Sequence, residues 1–168
     1  MDTPRKVLRQ LRKLAEAITD QIDCPNYGGC GVIAARVALA LESHGYPVEV
    51  TTHVGNEGWY SKPADVRHLV NPGRMRSWSE NGVSFRHLAV RFKLNGRVYL
   101  WDSDTGPMRR SLVYGYDDQY IASKWGTGMT PDECRAVSDN PEGWNESFDR
   151  DQIPAIDELV VTFLNPKE

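Results

Sequence analysis

Asn26-Tyr27-Gly28-Gly29-Cys30-Gly31 runs without a break into Val32-Ile33-Ala34-Ala35-Arg36-Val37-Ala38-Leu39-Ala40-Leu41, and the reading of this chain turns on that stretch. A glycine-rich turn delivers a cysteine to the start of a helix that is apolar nearly all the way round. Such a helix is expected to be buried between other elements. Its N-terminus carries partial positive charge and unpaired N–H groups, a setting that favours a thiolate. The helix is expected to run from about Cys30 to Ser43 and to stop at His44-Gly45, where glycine is a natural C-terminal cap.

Further along lies the clearest hairpin of the chain. Ser84 to Leu94 and Arg97 to Asp102 read as strands, with Asn95-Gly96 as a two-residue turn between them. The first strand carries His87 near its start, and the second ends in Trp101-Asp102-Ser103-Asp104. Positions equidistant from a turn lie opposite each other in an antiparallel pair. His87 therefore faces about position 104, with Asp102 as a diagonal neighbour on the same face and Asp104 directly across. Cysteine on a helix, histidine on a strand and aspartate on the next strand supply a nucleophile, a base and an orienting acid. Asp102 closes the hydrophobic strand Val98-Tyr99-Leu100-Trp101 and is the preferred acid; Asp104 is held in reserve. His53, at the end of a strand spanning Val48 to Val54, is the reserve base.

The remaining chain is read more coarsely. Residues 4–22 form an amphipathic helix with Val7, Leu8, Leu11, Leu14, Ala15 and Ile18 on one face. Arg5, Lys6, Arg9, Arg12 and Lys13 occupy the other, which is most simply a solvated face. Residues 55–83 and 105–145 break often at glycine and proline. Within the second stretch, Thr130 caps a short helix over 131–137. Leu159-Val160-Val161-Thr162-Phe163-Leu164 reads as a buried closing strand. The whole, 1–168, is one domain: an N-terminal helix at 4–22, a core at 24–106 holding the cysteine helix and the hairpin, and an irregular segment with a closing strand at 107–168.

Bulk properties narrow the function classes. The chain has 168 residues, 40% hydrophobic and 26% charged, an ordinary globular composition. Its formal charge is −3, from 20 basic and 23 acidic residues, which gives no reason to expect nucleic-acid binding. No apolar run approaches the roughly 18 to 20 residues that cross a bilayer, and the N-terminus lacks a cleavable signal pattern. No membrane association and a cytoplasmic location are expected. Cys24, Cys30 and Cys134 are an odd set without the look of a disulfide framework, and the Cys24–Cys30 spacing does not suit a zinc knuckle. Reduced thiols are expected, and no metal or cofactor.

The matched parts, Gly28-Gly29-Cys30-Gly31 with its apolar helix, His87 opening a strand and Asp102 ending the next, resemble the papain-like and transglutaminase-like superfamily over residues 24–106. The pattern is also similar to that of small bacteriophage-encoded proteins, which would place the protein in a host cytoplasm. The resemblance implies an α+β fold with the nucleophile helix packed on an antiparallel sheet, and acyl-transfer chemistry on a protein or peptide substrate through a Cys30-His87-Asp102 triad. It also implies an oxyanion site at the Cys30 N–H, with Asn26 as the best side-chain candidate for a second donor. Papain-like peptidases carry a glutamine six residues before the cysteine; here that position is Cys24, which weakens a peptidase reading more than a thiol acyl-transfer one. Three functions follow: a thiol hydrolase of amide or isopeptide bonds; an acyltransferase, transglutaminase or deamidase using the same triad; and a non-enzymatic phage protein that binds a host factor.

Overall fold

A computed structural model describes residues 3–25, 28–56, 83–104, 106–109, 130–140 and 148–164, and only the backbone at 51–56, 83–87, 108–109 and 137. Two helices lead: α1 (Pro4–Gln21) and α2 (Cys30–Ser43). The strands β1 (Val48–Asn56), β2 (Val83–Leu94), β3 (Arg97–Asp102) and β4 (Gly106–Arg109) follow. The chain then gives α3 (Pro131–Ser138), a 3₁₀ turn (Arg150–Gln152) and α4 (Ile153–Leu164). The strands form one antiparallel sheet in the order β1-β2-β3-β4. The architecture is thus mixed α and β, with helices packed on an antiparallel sheet.

The local chemistry explains most element ends. Pro4 sits in the first turn of α1, where its missing N–H costs nothing. Gly45 follows α2 at φ +79°, a left-handed backbone that glycine adopts freely. Asn95 and Gly96 both have positive φ, as a two-residue hairpin turn of the type matching strand twist demands. Thr130 and Glu133 form a reciprocal capping box: the Thr130 hydroxyl accepts from the Glu133 N–H at 3.2 Å and the Glu133 carboxylate accepts from the Thr130 N–H at 2.8 Å.

Residues 159–164 depart from the sequence reading: they belong to helix α4, not to a closing strand. The run Val160-Val161-Thr162 has strand-like composition, but a short apolar run does not distinguish helix from strand. The spacing of the buried residues does. Ile156, Leu159, Val160 and Leu164 fall on one helical face, while Val161 is 48% exposed. Tertiary packing against α1 and α2 overrides the β-branched preference.

The helices cover one face of the sheet. Leu88, Val90, Phe92 and Leu94 of β2, with Val50 of β1 and Tyr99 and Trp101 of β3, join the same apolar core as α1, α2 and α4. Phe92 and Tyr99, paired across strands, stack at 5.6 Å. The Trp101 indole N–H donates to the Leu11 carbonyl of α1 at 2.8 Å, so the largest side chain of the core keeps its polar atom satisfied. The alternate residues of the strands form the second face. There Glu49 pairs with Arg91, its register partner, at 2.5 Å. Ala89 and Leu100 are buried on this second face, outside the helix-side core.

Arg36 ties the helix layer together. The guanidinium, 8% exposed, donates to Asp157 of α4 at 2.7 Å, to both oxygens of Asp139 beside α3 at 2.8 and 3.2 Å, and to the Val32 carbonyl at 3.2 Å. One buried cation thus joins three helical segments by a geometry that lysine cannot copy. Arg36→Ala is expected to cost about 3 kcal/mol in urea unfolding, as removal of one member of a buried pair does. Asp139→Asn should cost more than Asp157→Asn, because Asp139 is bidentate and less exposed. Equal, small losses in all three would show that the cluster adds nothing to stability.

Candidate active site

Cys30 is the first residue of α2, as expected, and is 8% exposed. The two glycines before it serve different ends. Gly28 has φ +80°, a conformation that costs other residues energy. Gly29, by contrast, has an ordinary φ of −86°, and its constraint is space. A Cβ there would lie 2.5 Å from the Phe148 ring and closer still to the Pro25 carbonyl. The Gly29 carbonyl accepts the first helical bond, from the Ile33 N–H at 3.0 Å. The N–H groups of Cys30, Gly31 and Val32 consequently have no intrahelical acceptor, which is the usual arrangement of an anion-favouring helix start.

The turn that presents Cys30 is buttressed by residues far away in sequence. Phe148 packs on Gly29. The Gln152 side chain accepts from the Asp23 N–H at 2.6 Å and donates to the Asp23 carbonyl at 3.3 Å. Cys134, on α3, places its thiol 3.6 Å from the Gly31 carbonyl. Cys134 reads from sequence as a structural or surface thiol and is here a buried structural one; Phe148 and Gln152 carry no sequence signal for this role. Each is separated from the turn by more than a hundred residues, so no local pattern announces it.

The three thiols are free and differ in setting. Burial pushes the Cys134 thiol up to about 12. The exposed Cys24 is pushed up by its hydrogen bond to the Asp23 carboxylate. Both are poorer nucleophiles at neutral pH for that reason. Only Cys30 sits at the start of a long helix.

His87 lies on β2, paired in register with His53 of β1. The β2–β3 register runs from Leu94 opposite Arg97 to Val90 opposite Trp101. One step further sets Ala89 opposite Asp102, the diagonal relation of His87 to Asp102 read from the turn. Asp102 is 6% exposed, and its Oδ1 accepts from the Asp104 N–H at 3.0 Å, closing the turn between β3 and β4. Asp104 is exposed. Asn26 lies outside the described residues. His44 bonds a carbonyl as expected of a helix-end histidine, but that of Leu164 in α4, at 2.8 Å.

α2 packs on β1 and β2, and residues 44–47 reverse the chain directly into β1. The reversal is pinned to the hairpin by the Lys93 N–H donating to the Pro47 carbonyl at 2.9 Å. A helix of this length returns about 20 Å, and the five steps from Val48 to His53 cover about 17 Å. A helix running back along β1 over that length has its N-terminus level with His53. The faces differ, however. His87 and Asp102 share one alternation series, with Ala89 and Leu100, whereas α2 packs on the other.

Among the residues whose side chains are described, no group of three His, Cys, Asp or Glu is placed to hold a metal ion. No described helix is long and apolar enough to cross a membrane. Compared with protein-family models, curated proteins and solved structures, the chain matches none.

Gly29→Ala tests the close approach that seats Cys30. It should destabilise the protein by about 1–3 kcal/mol, the range for overpacking, read as a lowered Tm. Unchanged stability would mean that the Phe148 contact is not tight.

Proposed function

We propose that the protein is a thiol-dependent hydrolase that cleaves an amide or isopeptide bond in a protein or peptide. The reading that goes with it is a papain-like or transglutaminase-like arrangement, with Cys30 as nucleophile, His87 as base and Asp102 as orienting acid. What supports it is that Cys30 opens a helix packed on β1 and β2, and that β2 carries His87 while β3 ends in Asp102. Burial of Asp102 and exposure of Asp104 favour Asp102 as the acid.

In this reading the Cys30 thiolate attacks the substrate carbonyl carbon. The carbonyl oxygen takes the charge beside the Cys30 N–H. The imidazolium of His87 gives its proton to the leaving nitrogen as the C–N bond breaks, leaving a thioester on Cys30. His87 then takes a proton from water, whose oxygen attacks the thioester and returns the thiolate. An amine in place of water gives acyl transfer by the same steps.

A second reading, a binding protein without catalysis, is favoured by one specific observation. Asp102 already has structural work in closing its own turn, and the His87 series alternates away from α2. In that case a host protein is the partner, and the exposed cations of α1 are its natural contact.

Iodoacetamide labelling followed by peptide mass spectrometry separates the two. Catalysis predicts that at neutral pH Cys30 is labelled faster than Cys24 and Cys134, and that His87→Ala slows it at least about tenfold, the low side of what a positioned base contributes. Slow labelling of Cys30, unchanged in His87→Ala, would sink the hydrolase and leave the binding reading.

A further inference from the structure

We propose that the outer face of α1, through Arg5, Lys6, Arg9, Arg12 and Lys13, is a docking surface for a short acidic segment of a protein partner. The five cations are exposed and lie opposite the buried Val7, Leu11, Leu14 and Ile18. From Arg5 to Lys13 the helix rises about 12 Å.

Solvation alone does not account for where these charges sit. A helix favours acids at its N-terminus and bases at its C-terminus. α1 has no described acid in its first turn and no base in its last. Its cations crowd the N-terminal half instead, and the exposed Glu16 and Asp20 follow them toward the C-terminus. Arg5 and Arg9 stand one turn apart, as do Arg9 and Lys13, a like-charge spacing that weakens a helix. Arg5, Arg9, Arg12 and Lys13 make no ion pair with any described residue, so pairing within the described fold does not offset the cost. Local rules broken without gain inside the fold mark a functional surface.

The surroundings of the patch choose its partner. The inner face of α1 is held in the core, where the Trp101 indole N–H donates to the Leu11 carbonyl at 2.8 Å and the Thr19 hydroxyl donates to the Ser103 carbonyl at 3.1 Å. No apolar face of this helix is free to enter a lipid surface, and the cations stand on a fixed rod, which lowers the cost of binding. The chain carries a formal −3; the five cations contribute +5, so the remainder carries −8. A long polyanion such as nucleic acid would run from the patch onto that acidic body, and Glu16 and Asp20 close the patch at one end. A short run of Asp and Glu fits within it, its carboxylates accepting from the guanidinium and ammonium groups.

This docking gives a chemistry to the partner contact of the binding reading and is compatible with catalysis. Cysteine labelling decides the hydrolase and peptide binding decides the docking surface, so either can fail alone.

Fluorescein-labelled octaglutamate is the probe, titrated with the full chain at low ionic strength and followed by anisotropy. Saturable binding is expected, weakened at least about tenfold in the double variant Arg5→Glu/Arg9→Gln. Lys93→Glu/Arg97→Gln, the same charge change placed on the hairpin, should bind as wild type does. The α1 variant should melt at the wild-type temperature or above it, because glutamate suits the first turn of a helix and like-charge contacts are removed. A thymidine oligonucleotide of equal charge, and vesicles of phosphatidylcholine with phosphatidylserine, should bind more weakly than the peptide. Absence of saturable peptide binding, unchanged binding in the α1 variant, equal weakening in the hairpin variant, a lowered Tm in the α1 variant, or binding of the oligonucleotide or vesicles as tight as that of the peptide would overturn the proposal.

Discussion

Four residues, His44 to Pro47, turn the chain back from α2 into β1, and the candidate site depends on that reversal. A long apolar helix cannot stay in water, so it lies on the sheet that follows it. Because the connection is short, the helix must run antiparallel to β1. In the proposed reading, its N-terminus lies at the end of the sheet where β1 and β2 pair His53 with His87 and where β3 ends in Asp102. In that reading, two simple requirements, burial of an apolar helix and a short loop, bring together residues that are far apart in the chain.

The cysteine end is held more firmly than a loop tip would be. Gly29 admits Phe148 and the Pro25 carbonyl at close range, Gln152 clasps Asp23, and Cys134 lies against Gly31. Arg36, nearly two helical turns further along α2, bonds Asp139 and Asp157 and so fixes the segments that supply these supports. A nucleophile gains from such fixing, because its orientation is settled before substrate arrives. The same fixing leaves Cys30 nearly buried.

Local signals in the sequence carried the elements that this account rests on. Asn95-Gly96 announced the hairpin and its register, and the register placed Asp102 diagonal to His87. Gly45 ended α2, and Thr130 with Glu133 began α3. Residues 159–164 misled because β-branched composition is a weaker determinant than the side on which Ile156, Leu159, Val160 and Leu164 find a core. The buttress of the cysteine turn was hidden for a different reason: contacts between residues 23–31 and 134–152 leave no periodic trace. The strand alternation was readable from the hairpin, but which face α2 would cover was not, since that choice is made by packing.

The central claim is that Cys30 and His87 meet at the rim of the sheet. NMR titration of the His87 imidazole, in the wild-type protein and in Cys30→Ser, tests it most directly. A thiolate beside the ring favours the imidazolium, so the account predicts that the His87 midpoint falls when the thiol is replaced by a hydroxyl. The same His87 titration curve in both proteins would show that the two residues do not interact and would contradict the account.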